Sequence, residues 1–151
     1  MQAISILLQY VGEHIALFSG GLFTGATLYI CLTERPPRTA LGLTDLLTLS
    51  RITARRTNAF LTVLAAVTAF AALLAAFSGA GIWWRIGGLA HLAAVILLLT
   101  KVQAIAKELE EPEADHNPRA AGRKLLKRQT AYFSALCLIG LAAQYLFIAK
   151  P

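Results

Sequence analysis

Four stretches of the chain are long and almost wholly apolar: roughly 5–32, 58–77, 82–101 and 130–149. Each reaches the roughly 20 residues that a helix needs to cross a bilayer. The second and fourth carry no charge between Asn58 and Phe77 or between Thr130 and Ala149. The first is interrupted by Glu13 and His14, and the third by Arg85 and His91. No water is present in hydrocarbon to bond a free backbone, so each stretch must be helical. The short alternating strands of a membrane barrel are missing. The pattern therefore predicts an all-α, integral membrane, four-helix antiparallel bundle. It forms a single transmembrane domain over 1–151, with long loops at 33–57 and 102–129.

The loops carry signals of their own. Leu46, Leu47 and Leu49 precede Arg51, Arg55 and Arg56, and cations late in a helix complement its dipole. This predicts a short interfacial helix over Thr44–Arg56, or an extension of the second span. Glu108–Asp115 holds five acids in eight residues and reads as a solvated loop. Asn117-Pro118 is a good helix start, with Asn as cap and Pro in the first turn.

Composition agrees with the membrane reading. The chain has 151 residues, 57% hydrophobic and 15% charged. Its mean hydropathy is +0.62. Soluble domains are nearer ~25% charged, so the composition argues against a soluble enzyme, a disordered chain and a nucleic-acid binder. The net charge of +6 changes the picture only through its placement. Twelve of the fourteen basic residues lie before the second span or between the third and fourth, leaving Arg85 and Lys150 opposite. The positive-inside rule then predicts a multi-pass protein of a bacterial-type inner (plasma) membrane, with both termini outside and both long loops cytoplasmic. Tyr10, Trp83, Trp84 and Tyr145 fall at the expected outer interface, and Tyr29 and Tyr132 at the inner one. No basic residue precedes the first apolar run, so a cleaved signal peptide is not expected.

Small residues set the expected packing. Gly21-Leu22-Phe23-Thr24-Gly25 is a GxxxG, and Ala65, Ala69, Ala72 and Ala76 line one face of the second span. Such positions let helix backbones approach closely. The plainer reading is packing within the bundle, and the other is a contact between copies or with a larger membrane complex. Cys31 and Cys137 have no metal-site spacing, and Cys137 reads as a small core residue.

Ionisable residues within a span are the candidate chemistry. Arg85 reads as an interfacial side chain that snorkels. His116 falls in the acidic loop and reads as solvated. Glu13, His14 and His91 remain. Counted from the outer span starts, His14 and His91 are level; counted from the other ends, they are far apart. If level, the two imidazoles would ligate a haem b iron axially, or copper beside a carboxylate. Alternatively, Glu13 and His14 would act as an acid–base pair on a small hydrophobic substrate. In the plain structural reading each histidine bonds a backbone carbonyl or a group such as Ser19, Thr24 or Gln144. There is no HExxH, P-loop, GxSxG or histidine box, and three histidines are too few for a di-iron membrane oxygenase.

The first span ends Gly20-Gly21-Leu22-Phe23-Thr24-Gly25-Ala26-Thr27-Leu28-Tyr29-Ile30, followed by Glu34-Arg35-Pro36-Pro37-Arg38. This resembles the small four-span family that contains the fungal anthrone oxygenases and many bacterial proteins of undefined function. The arginines from Arg51 to Arg56 and the loop Lys107–Leu126 are similar in layout too. The chain differs in reading Thr100-Lys101-Val102-Gln103 after the third span and Lys127-Arg128-Gln129-Thr130 at the fourth. The resemblance implies a small hydrophobic, aromatic or quinone-like molecule held between the helices. Glu13, His14 and His91 would line its pocket as catalytic groups, with Glu34 and Arg38 binding substrate at the cytoplasmic mouth. The carboxylate and imidazole would take a proton from the substrate, making it reactive toward oxygen. His14 ahead of Gly20-Gly21-Leu22-Phe23 is also similar to the first helix of copper-resistance and haem-binding membrane families. That likeness implies a haem-binding or non-catalytic subunit of a larger complex.

Overall fold

The computed structural model describes residues 2–34, 43–110 and 118–149. Every one of these is helical except Gly81 and Ala149. Helix α1 spans Gln2–Tyr29 and widens into a π turn at Ile30–Glu34. Helix α2 runs from Leu43 to Ala75 without a break, so Thr44–Arg56 extends the second span. A turn at Ala76–Ala80 reverses the chain. Helix α3, Ile82–Leu97, passes through another π turn, Leu98–Val102, into α4, Gln103–Glu110. The acidic run therefore begins within a helix, while 111–117 lies outside the described residues. Helix α5 starts at Pro118 and ends at Ile148. Among the described residues, four helices are long and apolar enough to cross a membrane: Gln2–Leu32, Arg56–Ala80, Ile82–Glu108 and Arg123–Ile148.

The turn between α2 and α3 depends on glycine. Gly79 has φ 121° and Gly81 φ 91°, in a region where a Cβ clashes with the backbone. Ser5 on α1 donates to the Ser78 carbonyl at 3.0 Å, tying the start of α1 to this turn. This is called the turn end of the bundle. The opposite end carries exposed Arg56, Lys101, Lys107, Lys124, Lys127 and Arg128, and is called the basic end.

Each helix packs against its neighbours in sequence, and α5 closes the ring on α1. The contacts run in opposite senses along each pair, so the bundle is antiparallel. Gly12 lies against Ala71 and Ala75, and Gly20 against Thr68 and Gln144. Gly88 lies against Ala72 and Leu73, and Gly140 against Thr24. At Gly12 an added Cβ would stand 2.9 Å from the Ala71 carbonyl oxygen. The alanine stripe of α2 is buried, as its spacing predicts: Ala65, Ala69, Ala72 and Ala76 all face inward.

The GxxxG behaves differently. Gly21 and Gly25 are exposed, and an added Cβ at either would meet nothing within 4 Å. Packing within this bundle does not use them. Trp84, expected at the interface, is buried inside the bundle, whereas Trp83, Tyr10 and Tyr145 are exposed. Arg85 is exposed with its guanidinium 5.8 Å from the Phe77 ring centre, a cation–π approach. Cys137 is buried, as a small core residue should be, and neither cysteine is in a disulfide.

This packing predicts opposite outcomes for two kinds of glycine. Gly12→Ala should cost about 1–3 kcal/mol, because backbone must move to admit the methyl group. Gly21→Ala and Gly25→Ala should leave stability unchanged or raise it by about 0.5–1 kcal/mol, the ordinary helix gain. Thermal unfolding of the detergent-solubilised protein would measure both. Equal losses at Gly12 and Gly21 would show that the helices pack through another face.

Candidate functional site

The apolar core is in two parts. One, toward the turn end, contains Ala16, Ala71, Ala72, Ala75, Ala76, Trp84 and Phe147. The other, toward the basic end, contains Phe23, Ile30, Leu61, Ala65, Ala94, Leu98, Val102, Phe133 and Leu136. A polar layer separates them on each of the four long helices. Ser19 falls between Ala16 and Phe23, Thr68 between Ala65 and Ala71, His91 between Trp84 and Ala94, and Gln144 between Leu136 and Phe147. Ser19 and Thr68 join α1 to α2 through their hydroxyls at 2.8 Å. Each also donates within its own helix or shares that proton, Ser19 reaching the Ile15 carbonyl at 2.6 Å and Thr68 the Leu64 carbonyl at 2.8 Å.

His91 is the centre of this layer, 0% exposed. Its Nδ1 lies 3.1 Å from the Gly87 carbonyl oxygen. A carbonyl only accepts, so Nδ1 carries the proton. In the neutral ring Nε2 is then left with a lone pair. That Nε2 is buried and has no hydrogen-bond partner. On α5, three residues before Phe147, Gln144 Nε2 is also buried without one. Aromatic rings surround the imidazole. Phe147 stacks on it at 5.9 Å and 11°, and Phe23 meets it edge-on at 5.5 Å. Trp84 stacks on the far side of the system, 4.6 Å from Phe147. Gly87 has the space its neighbours need, since a Cβ there would collide with the Phe147 ring.

The other two expected catalytic groups are elsewhere. His14 precedes Phe23 by nine residues, two and a half helical turns, which places the two on opposite faces of α1. Its ring is exposed, packs on Tyr10 at 4.0 Å, and its Nδ1 donates to the Tyr10 carbonyl at 2.8 Å. It also lies five residues toward the turn end from Ser19. His14 and His91 are therefore not level, and an iron held axially by both does not fit one chain. Glu13 is half-buried and accepts from Gln9 Nε2 at 2.9 Å. It is not among the groups around His91. Among the described residues no three His, Cys, Asp or Glu side chains gather in a metal-binding group. Of Glu34 only the backbone is described, at the end of the first π turn, and Arg38 and His116 lie outside the described residues.

An open apolar groove of about 400 Å³ runs between α1 and α2. It is lined by Gly12, Ile15, Ala66, Val67, Phe70, Ala71 and Leu74. It offers no polar side chain. The ring set of Phe23, Trp84 and Phe147 was not visible as a site in the sequence. Its one signal is Gly87, four residues before His91, where a larger residue would exclude Phe147.

No family model, curated protein or solved structure matches this chain. The site is therefore read from its geometry alone. That geometry predicts a definite tautomer. Nitrogen NMR of imidazole-labelled protein should find a protonated Nδ1 and a bare Nε2 at His91. A protonated Nε2 with a bare Nδ1 would contradict the Gly87 bond and the site built on it.

Proposed function

We propose that this is an integral membrane protein that binds a small hydrophobic, aromatic or quinol-like molecule at the middle of the bundle. The single observation that carries this reading is the bare His91 Nε2 inside a set of aromatic rings. An unpaired polar atom in such surroundings is costly and is a mark of a site rather than of packing. A ligand hydroxyl would donate to Nε2, and its oxygen would accept from Gln144 Nε2. Apolar ring surface would pack against Phe23 and Phe147. If chemistry follows, Nε2 takes the proton of that hydroxyl as general base. The likeness of the first span to the anthrone oxygenase family supports this class of ligand, with Glu34 and Arg38 at the mouth. The distribution of basic residues supports an inner-membrane orientation with the basic end cytoplasmic.

Trp84 provides the test, since it stacks on the ring that covers His91. Titrating phenols and quinols into the purified protein should change Trp84 fluorescence saturably. His91→Ala should weaken that binding about tenfold or more, the loss of one good hydrogen bond. His14→Ala should leave it intact. Binding that survives His91→Ala would refute this reading.

A second reading, a subunit that docks on another membrane chain, has its own observation. His14, Phe18, Gly21, Gly25 and Leu32 share one exposed face of α1. A polar ring and two bare glycines facing lipid are characteristic of a helix–helix contact. Gly21→Leu and Gly25→Leu should then reduce the oligomer seen by cross-linking in native membranes. An unchanged oligomer, or a monomer in both wild type and variants, would reject it.

A further inference from the structure

Buried polar side chains are distributed unequally along the bundle. Between the His91 layer and the basic end lie Thr24 and Thr27 on α1, Asn58 on α2 and Gln129 on α5. Between that layer and the turn end, no polar side chain of the described residues is fully buried. Alanines and the Trp84–Phe147 stack close that half.

The basic end has its own unsatisfied group. Asn58 is 2% exposed, and neither its Nδ2 nor its Oδ1 has a hydrogen-bond partner. A buried carboxamide needs partners for two donors and an acceptor. Asn58 sits one turn from Leu61, which shares a core cluster with Ile30, Leu98 and Val102. Ile30 and Val102 belong to two of the three π turns, the third being Ala76–Ala80 at the turn end. Such turns interrupt the regular helix ladder and recur at functional sites. The unpaired amide and these two irregular turns thus fall at one level, below the unpaired imidazole.

We propose that water reaches His91 from the basic end only, past Asn58 and the Thr27 and Thr24 hydroxyls, while the turn end is sealed. Water both donates and accepts, which is what the Asn58 amide and the His91 Nε2 lone pair require. His91 has Phe23 of α1 and Phe147 of α5 against its ring and the Gly87 carbonyl on Nδ1. None of these titrates, so exchange of its proton depends on that water. One-sided access makes His91 respond to the solution on the basic side alone. Water on Nε2 occupies the place that a ligand hydroxyl would take, and the capping test is run without ligand.

Silver ion, which follows water-sized paths and caps thiols, is the probe. The protein carries Cys31→Ser and Cys137→Ser, and is reconstituted in sealed vesicles. K127C reports the basic side, S78C the turn side, and H91C the layer. Silver is added to one side, and the remaining thiol is measured with a maleimide after denaturation. H91C should be capped about tenfold or more faster from the side that caps K127C than from the side that caps S78C. Adding Asn58→Leu should slow that reaction by a similar factor. Thr27→Val should slow it in the same direction should Asn58→Leu fail to insert. Faster capping from the S78C side, equal rates from both, or no capping from either would overturn the proposal.

Discussion

Close approach of helix backbones at glycine and alanine is the constraint on which the rest of this bundle depends. Lipid tails are as apolar as leucine, so burying leucine between helices drives little association in a membrane. Packing at short range has to do that work. Gly12 against Ala71, Gly20 against Thr68 and Gln144, Gly88 against Leu73, Gly87 against Phe147, and Gly140 against Thr24 fix all four sides of the ring. They also set the level of each helix against its neighbours. That is why Ser19, Thr68, His91 and Gln144 come to one height. The polar layer is thus a consequence of where the small residues sit.

Within that layer the two kinds of polar group are treated differently. Ser19 and Thr68 satisfy themselves and each other. His91 satisfies one nitrogen against Gly87 and leaves the other bare. A residue selected only for packing would not be expected to leave a lone pair in a ring of phenylalanines. Leucine or phenylalanine would fill the same volume without that cost. The energetic imbalance, not the mere presence of a histidine, makes this position the candidate site.

The four spans, the start of the last helix at Pro118 and the burial of the α2 alanines were legible in the sequence. Each rests on a local rule: length of apolar run, cap chemistry, or helical period. The site was only partly legible. His91 stood out because it is ionisable within an apolar run, but His14 stood out for the same reason. Telling them apart needs the rotation of α1, and the apolar positions of that span lie all round the helix. The same absence of a polar face hid the direction of Gly21 and Gly25. Asn58 was missed because it sits at the edge of a span, where a polar residue is ordinary. Only the tertiary packing shows that both atoms of its amide are buried and unpaired.

The most direct test of the account is the stability of a His91→Leu variant without added ligand. The account holds that His91 is kept for its bare nitrogen at the expense of the fold. Replacing it by leucine removes one buried polar atom that no protein group pairs and keeps the volume. The variant should therefore unfold at a higher temperature than wild type, with a gain of about 1–3 kcal/mol. A loss of that size on His91→Leu would contradict the account. It would show that the Gly87 bond and the ring contacts of His91 hold the bundle together, and that the residue is structural.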